Sequence, residues 1–361
     1  MRLAVLKETQ TGERRVAQVP ETAAKLVKAG VSVVVERDAG LAAGFDDASW
    51  IAAGAIIVPS AEAAVAGAAV VLSVHAPEVK LSPGTLLISF LPSVRRSRMA
   101  EAGIDSLAME KVPRTTRGQA VDALSSQATV AGYQSVLLGA SRLLRLLPMM
   151  TTAAGTLKPG RVLVLGAGVA GLQAIATANR LGAQVFAFDV RAAVKEQVQS
   201  LGARFVEIDG VTSAEGAGGY AKEVAQDDQA RILITLGRVV PQADLVICTA
   251  QIPNKPAPRL LTAQMVAAMQ RGSVIVDLAA ESGGNCELTR PGEEVLTPNG
   301  VLVLGPRNLP STMPMHASMM FAKNVLTLVQ LCLKDGRVSL DLKDDLIAAM
   351  LVTHAGAVRH P

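Results

Sequence analysis

The chain is 361 residues long, half of them hydrophobic but only 2% aromatic, and carries a formal charge of +4. That length buries more than one ordinary core, and the mild positive excess is scattered rather than gathered into a stripe with interleaved aromatics, which argues against nucleic acid as a partner. Three widely spaced cysteines, Cys248, Cys286 and Cys332, form neither a disulfide framework nor a CxxC metal site and point to a reducing cytosol.

The first residues, 1–7, read as a strand that begins at once, without the charged, apolar and cleavage regions of a secretory signal. The pattern then predicts a helix over 21–29 and strands near 31–36, 69–74 and 85–90. Ala, Val and Leu dominate, which suits helices packed on parallel strands. The apolar windows 61–74 and 136–150 are too short for a membrane span or are interrupted by Arg142 and Arg145. A helix is expected over 128–147 as the connector between domains, and another over 315–333 that packs back onto the first. The expected class is α/β, with two Rossmann-like domains whose parallel sheets are separated by a cleft. The first domain would be 1–127 completed by 315–361, and the second, 128–314, would bind the dinucleotide.

Between the two lies V-P-R-T-T-R-G-Q-A-V-D-A-L-S-S-Q, from Val112 to Gln127. Hydride transfer needs no proton acceptor on the protein, only geometry that holds donor and acceptor carbons roughly 3 to 3.5 Å apart. Amides, guanidinium groups and a carboxylate on a tight loop could position a nicotinamide ring in that way. The same stretch also reads as a solvated loop in which Asp122 or Ser125 caps the following helix.

Gly166, Gly168 and Gly171 form G-x-G-x-x-G directly after the apolar strand R-V-L-V-L and before the helical L-Q-A-I-A-T-A-N-R-L, and Asp189 ends the next strand. A bare glycine motif is weak evidence, but strand, glycines, helix, strand and terminal acid in that order are specific. Gly166 allows the tight turn, Gly168 lets backbone approach a pyrophosphate, and Gly171 lets helix and strand pack closely. Asp189 would accept the ribose hydroxyls and repel a 2′-phosphate, favouring NAD over NADP; Arg191 could meet such a phosphate, though a place beside the adenine suits it better. The Gly-rich run 209–229 is too long for a simple connection and reads as a lid anchored by Tyr220, or as a surface insertion.

These motifs resemble the soluble NAD(H)-binding component of proton-translocating nicotinamide nucleotide transhydrogenase, a relative of alanine dehydrogenase. The likeness runs from K-E-T-x-x-G-E-R-R-V-A at Lys7 through P-R-T-T-R-G-Q-A-V-D-A-L-S-S-Q at Pro113, P-M-M-T-T-A-A-G-T at Pro148 and G-A-G-V-A-G-L-Q-A-I-A-T-A at Gly166. It continues in D-V-R-A-A-V-K-E-Q-V at Asp189, G-G-Y-A-K-E at Gly218, I-P-N-K-P-A-P at Ile252 and D-L-A-A-E-S-G-G-N-C at Asp277. The resemblance implies an enzyme of the proton-translocating, Re/Si class that moves hydride between NADH bound here and NADP(H) bound on a partner subunit. It further implies a homodimer held on the inner face of the cytoplasmic membrane by membrane-spanning transhydrogenase subunits. By the same likeness Arg114, Asp122 and Ser125 orient the NADH carboxamide, with Thr115, Thr116 and Arg117 contributing to the cofactor loop, and Gln119 reaches toward the partner's nucleotide. The dinucleotide contacts fall at Gly166, Gly168, Val169, Ala170, Gly171, Asp189, Val190, Arg191, Gly219 and Gln251, under the Tyr220 lid.

An alanine dehydrogenase must also move protons, and so needs a titratable pair beside its substrate. By the resemblance, the relative's Lys is replaced here by His75, its His falls at Leu91 and Pro92, its substrate Asp becomes Glu281, and only Arg15 remains. A lone His at a strand end is usually structural, and Lys80 reads as a solvated surface lysine. A free-standing amino-acid dehydrogenase using His75 and Glu281, or a catalytically idle NAD-binding protein, stays open as an alternative. The stretches 224–238 and 305–320 depart from the family pattern.

Overall fold

The computed structural model describes residues 1–208, 225–252 and 255–359. The chain folds as two compact units, one made of 1–127 with the segment from Pro310 onward, the other of 128–309.

In the first unit, six strands run parallel: β1 (Arg2–Val5), β2 (Ser32–Glu36), β3 (Ile56–Val58), β4 (Val70–His75), β5 (Leu86–Phe90) and β6 (Asp105–Ala108). Their spatial order, β6-β5-β4-β1-β2-β3, reverses between β4 and β1, so the sheet is doubly wound with a switch point there. Two short antiparallel strands near the C-terminus, Leu351–His354 and Ala357–Val358, extend the β6 edge. Strands buried on both faces read as unbroken apolar runs. Leu3, Val5, Val33, Val35, Leu72 and Val74 pack on one face with Phe321, Val325 and Leu328 of the helix Pro314–Leu331, while Ala4, Leu6, Val34, Val71 and Leu87 form the other layer.

The second unit is a seven-stranded open sheet of β7 (Arg161–Leu165), β8 (Gln184–Phe188), β9 (Arg204–Phe205), β10 (Leu245–Cys248), β11 (Val274–Asp277), β12 (Glu294–Leu296) and β13 (Leu302–Leu304). Its order is β9-β8-β7-β10-β11-β13-β12, with only the β12–β13 pair antiparallel and a switch point between β7 and β10. The Rossmann-like α/β architecture follows from these two sheets. Among the described residues no helix is long and apolar enough to cross a membrane.

The helix expected over 128–147 runs instead over Ala123–Arg142. It starts early because the Asp122 carboxylate takes the Ser125 amide at 2.8 Å, the bond of an N-cap. Past its end the run L-L-R-L-L-P stays apolar without staying helical: Leu147 is buried in the second unit's core while Leu144 and Leu146 are exposed. A small exposed hairpin, Met150–Thr152 with Gly155–Leu157, follows, which the sequence pattern does not predict. Most of the stretch 224–238 falls in a helix, Gln226–Val239, that buries Ile232 and Leu236.

Gly132 and Gly139, seven residues apart on one side of the Ala123–Arg142 helix, allow it to lie close against the glycine-turn helix and the second sheet. A Cβ at Gly132 would strike the Ala170 carbonyl oxygen, and one at Gly139 would strike Leu245. Because the obstacle at Gly132 is backbone, Gly132→Ala is expected to destabilise the protein by roughly 2 kcal/mol or more, outweighing the gain in helix propensity of about 1 kcal/mol. A denaturant midpoint at or above the wild-type value would contradict that packing.

Candidate functional site

The glycine turn sits at the carboxyl end of β7, on the switch point of the second sheet. Gly166 has φ +96°, a conformation L side chains rarely adopt, and a Cβ there would lie 2.8 Å from Thr249 Oγ1. A Cβ at Gly171 would overlap the Gly166 carbonyl, so only glycine lets the helix Val169–Arg180 begin this close to the strand. Gly168, the N-cap, has nothing within 4 Å of where a Cβ would be, so its backbone is open to a ligand. The helix N-terminus beyond it supplies unpaired amides suited to an anion. Open backbone at Gly168 with closed packing at Gly166 and Gly171 fits a dinucleotide pyrophosphate. Val169 is exposed and Ala170 half-buried.

Asp189 follows β8 and is 8% exposed. Its Oδ2 accepts the Ala167 amide at 2.7 Å, tying the acid directly to the glycine turn. Arg191 also donates to it, through its amide (2.9 Å) and Nε (2.8 Å) to Oδ1 and through Nη2 (2.7 Å) to Oδ2. Val190 is half-buried against the second core and Gln251 is exposed. Gly219 and Tyr220 lie outside the described residues.

In the first unit, the loop 113–122 is a rigid turn. The Gly118 amide donates to Thr115 Oγ1 (3.1 Å), and a Cβ at Gly118 would overlap the Pro113 carbonyl. Asn324 Nδ2 donates to the Ala120 carbonyl at 2.9 Å. Arg117 pairs with Asp344 (2.7 Å) and Asp345, and those hydrogen bonds raise its guanidinium further while holding Asp344 below the usual carboxylate range. Arg117 therefore anchors the loop to the helix Asp345–Met350. Arg114, Thr115, Thr116 and Gln119 are exposed along the loop. Asp122 holds Ser125 twice, by its amide and by its hydroxyl at 2.5 Å, so the N-cap and the pair assigned to the carboxamide are the same two residues.

Around Arg15 and His75 stands a closed network. Buried Glu13 takes Arg15 Nε (2.9 Å) and Nη2 (2.6 Å), and His75 Nε2 lies 2.9 Å from the same carboxylate. Arg15 Nη1 donates to Gln127 at 2.9 Å. Burial opposes the Glu13 charge, but the hydrogen bonds from Arg15 and His75 and the Arg15 charge outweigh it, holding the carboxyl well below the usual range. Leu91 is fully buried, Pro92 precedes the helix Ser93–Glu101, and Glu281 is exposed. Glu8 behaves in the opposite way: burial pushes it up to about 7, against the amides of Val74 (2.6 Å) and His75 (3.3 Å) and the His75 charge, with the Glu13 charge adding to the rise.

Several supporting residues carried no recognisable signal in the sequence. Thr249 braces the glycine turn through the Gly166 carbonyl (2.9 Å), and buried Asn285 clamps the next loop through the amide and carbonyl of Ala250 (3.1 and 2.9 Å). Asn324 does the same for the polar loop. Only their long-range partners reveal them.

A parallel sheet whose switch point carries this turn and acid defines a dinucleotide-binding α/β protein. Two family models cover nearly all of it, "Alanine dehydrogenase/PNT, N-terminal domain" over residues 4–131 and "Alanine dehydrogenase/PNT, C-terminal domain" over 135–361. The chain belongs to the alanine dehydrogenase/PNT family. It is 45% identical to the first segment of the NAD(P) transhydrogenase alpha subunit of Rhodospirillum rubrum, across 100% of this chain and 98% of that one. Alanine dehydrogenase of Mycobacterium tuberculosis is more distant, at 29% identity over 99% of this chain and 94% of that one. Among solved structures, a transhydrogenase from Sinorhizobium meliloti superposes with TM-score 0.90 at 40% identity, covering 99% of this chain and 100% of that one. An L-alanine dehydrogenase gives 0.81 at 28%, covering 100% and 97%.

The raised Glu8 has a consequence for stability. Its folded pKa lies above the unfolded value near 4.5, so the folded protein holds the extra proton between pH 4.5 and about 7. Its contribution is most favourable below that window and is lost as pH rises through 7. Glu8→Gln is therefore expected to gain about 3 kcal/mol over wild type at pH 8 relative to pH 4.5. A pH-independent difference between the two unfolding curves would contradict the buried-carboxylate account.

Proposed function

We propose that this chain is the NAD(H)-binding component of a proton-translocating transhydrogenase, in which hydride passes from NADH held here to NADP+ on a partner subunit. The nicotinamide supplies the hydride. The protein holds the dinucleotide with the turn Gly166 to Gly171 and with Asp189 on the adenine ribose, whose hydroxyls would compete with Arg191 for the carboxylate oxygens. Val169, Ala170, Val190 and Gln251 complete that side, and Gly219 and Tyr220, outside the described residues, are assigned to it by the family resemblance alone. Arg114, Thr115, Thr116, Arg117, Asp122 and Ser125 form the nicotinamide side, with Arg114, Asp122 and Ser125 orienting the carboxamide and Arg117 acting as the loop's anchor. Gln119 serves the partner's nucleotide.

The observation that carries this reading is the Glu13–Arg15–Gln127 network. An amino-acid dehydrogenase needs a cation for the substrate carboxylate and an acid/base for the proton. Here Arg15 is buried and already neutralised, His75 leans on the same carboxylate, and Leu91 offers no proton. The identity to transhydrogenase alpha subunits supports the same choice. The exposed apolar side chains Leu144, Leu146, Met149, Met150 and Leu157, close together in sequence around the hairpin, support a second copy of the chain as a partner, since clustered apolar exposure favours an interface. Membrane association then comes through the other subunits, on the cytoplasmic side.

Mixing the protein with an NADP-binding partner and following transfer from NADH to an NADP analogue tests the reading; NADH binding without turnover would reject it. NADH oxidation with pyruvate and ammonia would favour the dehydrogenase instead. Gln119→Asn is expected to slow transfer roughly tenfold or more with NADH affinity nearly unchanged, because a small misplacement at the meeting of two nucleotides costs rate rather than binding. A large loss of NADH affinity in that variant would sink the assignment of Gln119.

A further inference from the structure

The first sheet has its own switch point, and ligands of open α/β sheets bind outside the carboxyl ends of strands at such points. A groove of about 330 Å³ lies there, lined by the residues that follow β1, end β2 and end β4. On the sheet face that buries Ala4, Val34 and Val71, the next residues of the same parity are Leu6, Glu36 and Ser73, so the apolar layer gives way to polar groups as it opens into the groove.

The chemistry of the lining is one-sided. Glu8, Glu36, Glu62 and Glu78 contribute four carboxylates, and Lys7 is the one lysine or arginine among the described lining residues, beside His75. Arg95 and Arg98 occupy Glu78 from outside the groove, and the Lys7 amide occupies one oxygen of Glu36 (2.9 Å). Glu8 is held by two backbone amides and, among the described residues, by no lysine or arginine. Ser73 is 2% exposed and its Oγ has no hydrogen-bond partner among the described residues. A buried hydroxyl left that way costs on the order of 1–3 kcal/mol, which a bound donor would recover. Among the described lining residues there is no guanidinium to take a carboxylate or phosphate, and no described cluster of His, Cys, Asp and Glu is arranged to hold a metal ion.

We propose that this groove binds a small linear organic diamine, with Glu8 and Ser73 Oγ accepting one ammonium group and Glu36 and Glu62 accepting the other. An ammonium group carries only donors, which matches a lining that offers carboxylates and a spare hydroxyl lone pair. The site belongs to the first unit and uses none of the residues assigned to NAD(H).

Calorimetric titration of the full chain with putrescine, at pH 8 so that Glu8 is ionised and at about 0.15 M salt so that loose charge attraction is screened, tests it. Saturable one-site binding is expected, weaker for n-butylamine and absent for L-alanine. Glu8→Gln should weaken putrescine binding roughly tenfold or more, since a charge-assisted bond is lost. Ser73→Ala should weaken it roughly fivefold while raising the melting temperature, because it removes an unsatisfied hydroxyl, so a folding defect cannot mimic the result. Unchanged affinity in both variants, no binding by about 10 mM putrescine, or equal binding of L-alanine would overturn the proposal.

Discussion

The functional reading rests on one buried carboxylate. Glu13 is desolvated, and it stays charged because Arg15 holds both its oxygens, Nε on Oε1 and Nη2 on Oε2, while His75 approaches Oε2. Taking either partner away would leave an uncompensated buried charge, which is far more costly than the net worth of the pair. The pair therefore sets what the first unit can do: its arginine is already committed, and the imidazole beside it is drawn into the same network. A proton-moving dehydrogenase needs those groups free; a carrier that only presents a coenzyme does not.

The second unit is governed by a constraint of a different kind, namely space. Gly166 and Gly171 are required because backbone and Thr249 fill the volume a side chain would use, whereas the space beside Gly168 is open. Asp189 unites the two demands. By accepting the Ala167 amide it fixes the turn, and by also holding Arg191 it keeps a cation over the same carboxylate. Both oxygens of this carboxylate are thus engaged within the protein, by Arg191 and by the turn.

Much of this was legible because it is local. Strand, glycines, helix and acid follow one another within about thirty residues of βαβ sequence, so their order alone defines the turn. The N-cap at Asp122 was legible for the same reason, being a contact three residues long. What escaped was set by distant partners. Arg117 reads as part of a cofactor loop, yet Asp344 and Asp345, more than two hundred positions on, are what hold it. Leu351–His354 is a strand because β6 offers it an edge, and the run after Arg142 is apolar because Leu147 is buried, not because the helix continues. Ser73 is silent in the sequence, since a serine in a strand announces nothing until its neighbours fail to pair with it.

The two sheets share a topology and differ in what they place at the switch point. After β7 the chain writes Gly-Ala-Gly and opens backbone amides, a positive surface for phosphates. After β1 it writes Leu-Lys-Glu-Thr-Gln, and the first acid of that run turns back onto the amides of Val74 and His75. Glu8 takes those two donors, so this turn presents acceptors where the other presents amides. The two turns thus give similar sheets opposite hydrogen-bonding character at their switch points, through the residues that follow a single strand in each.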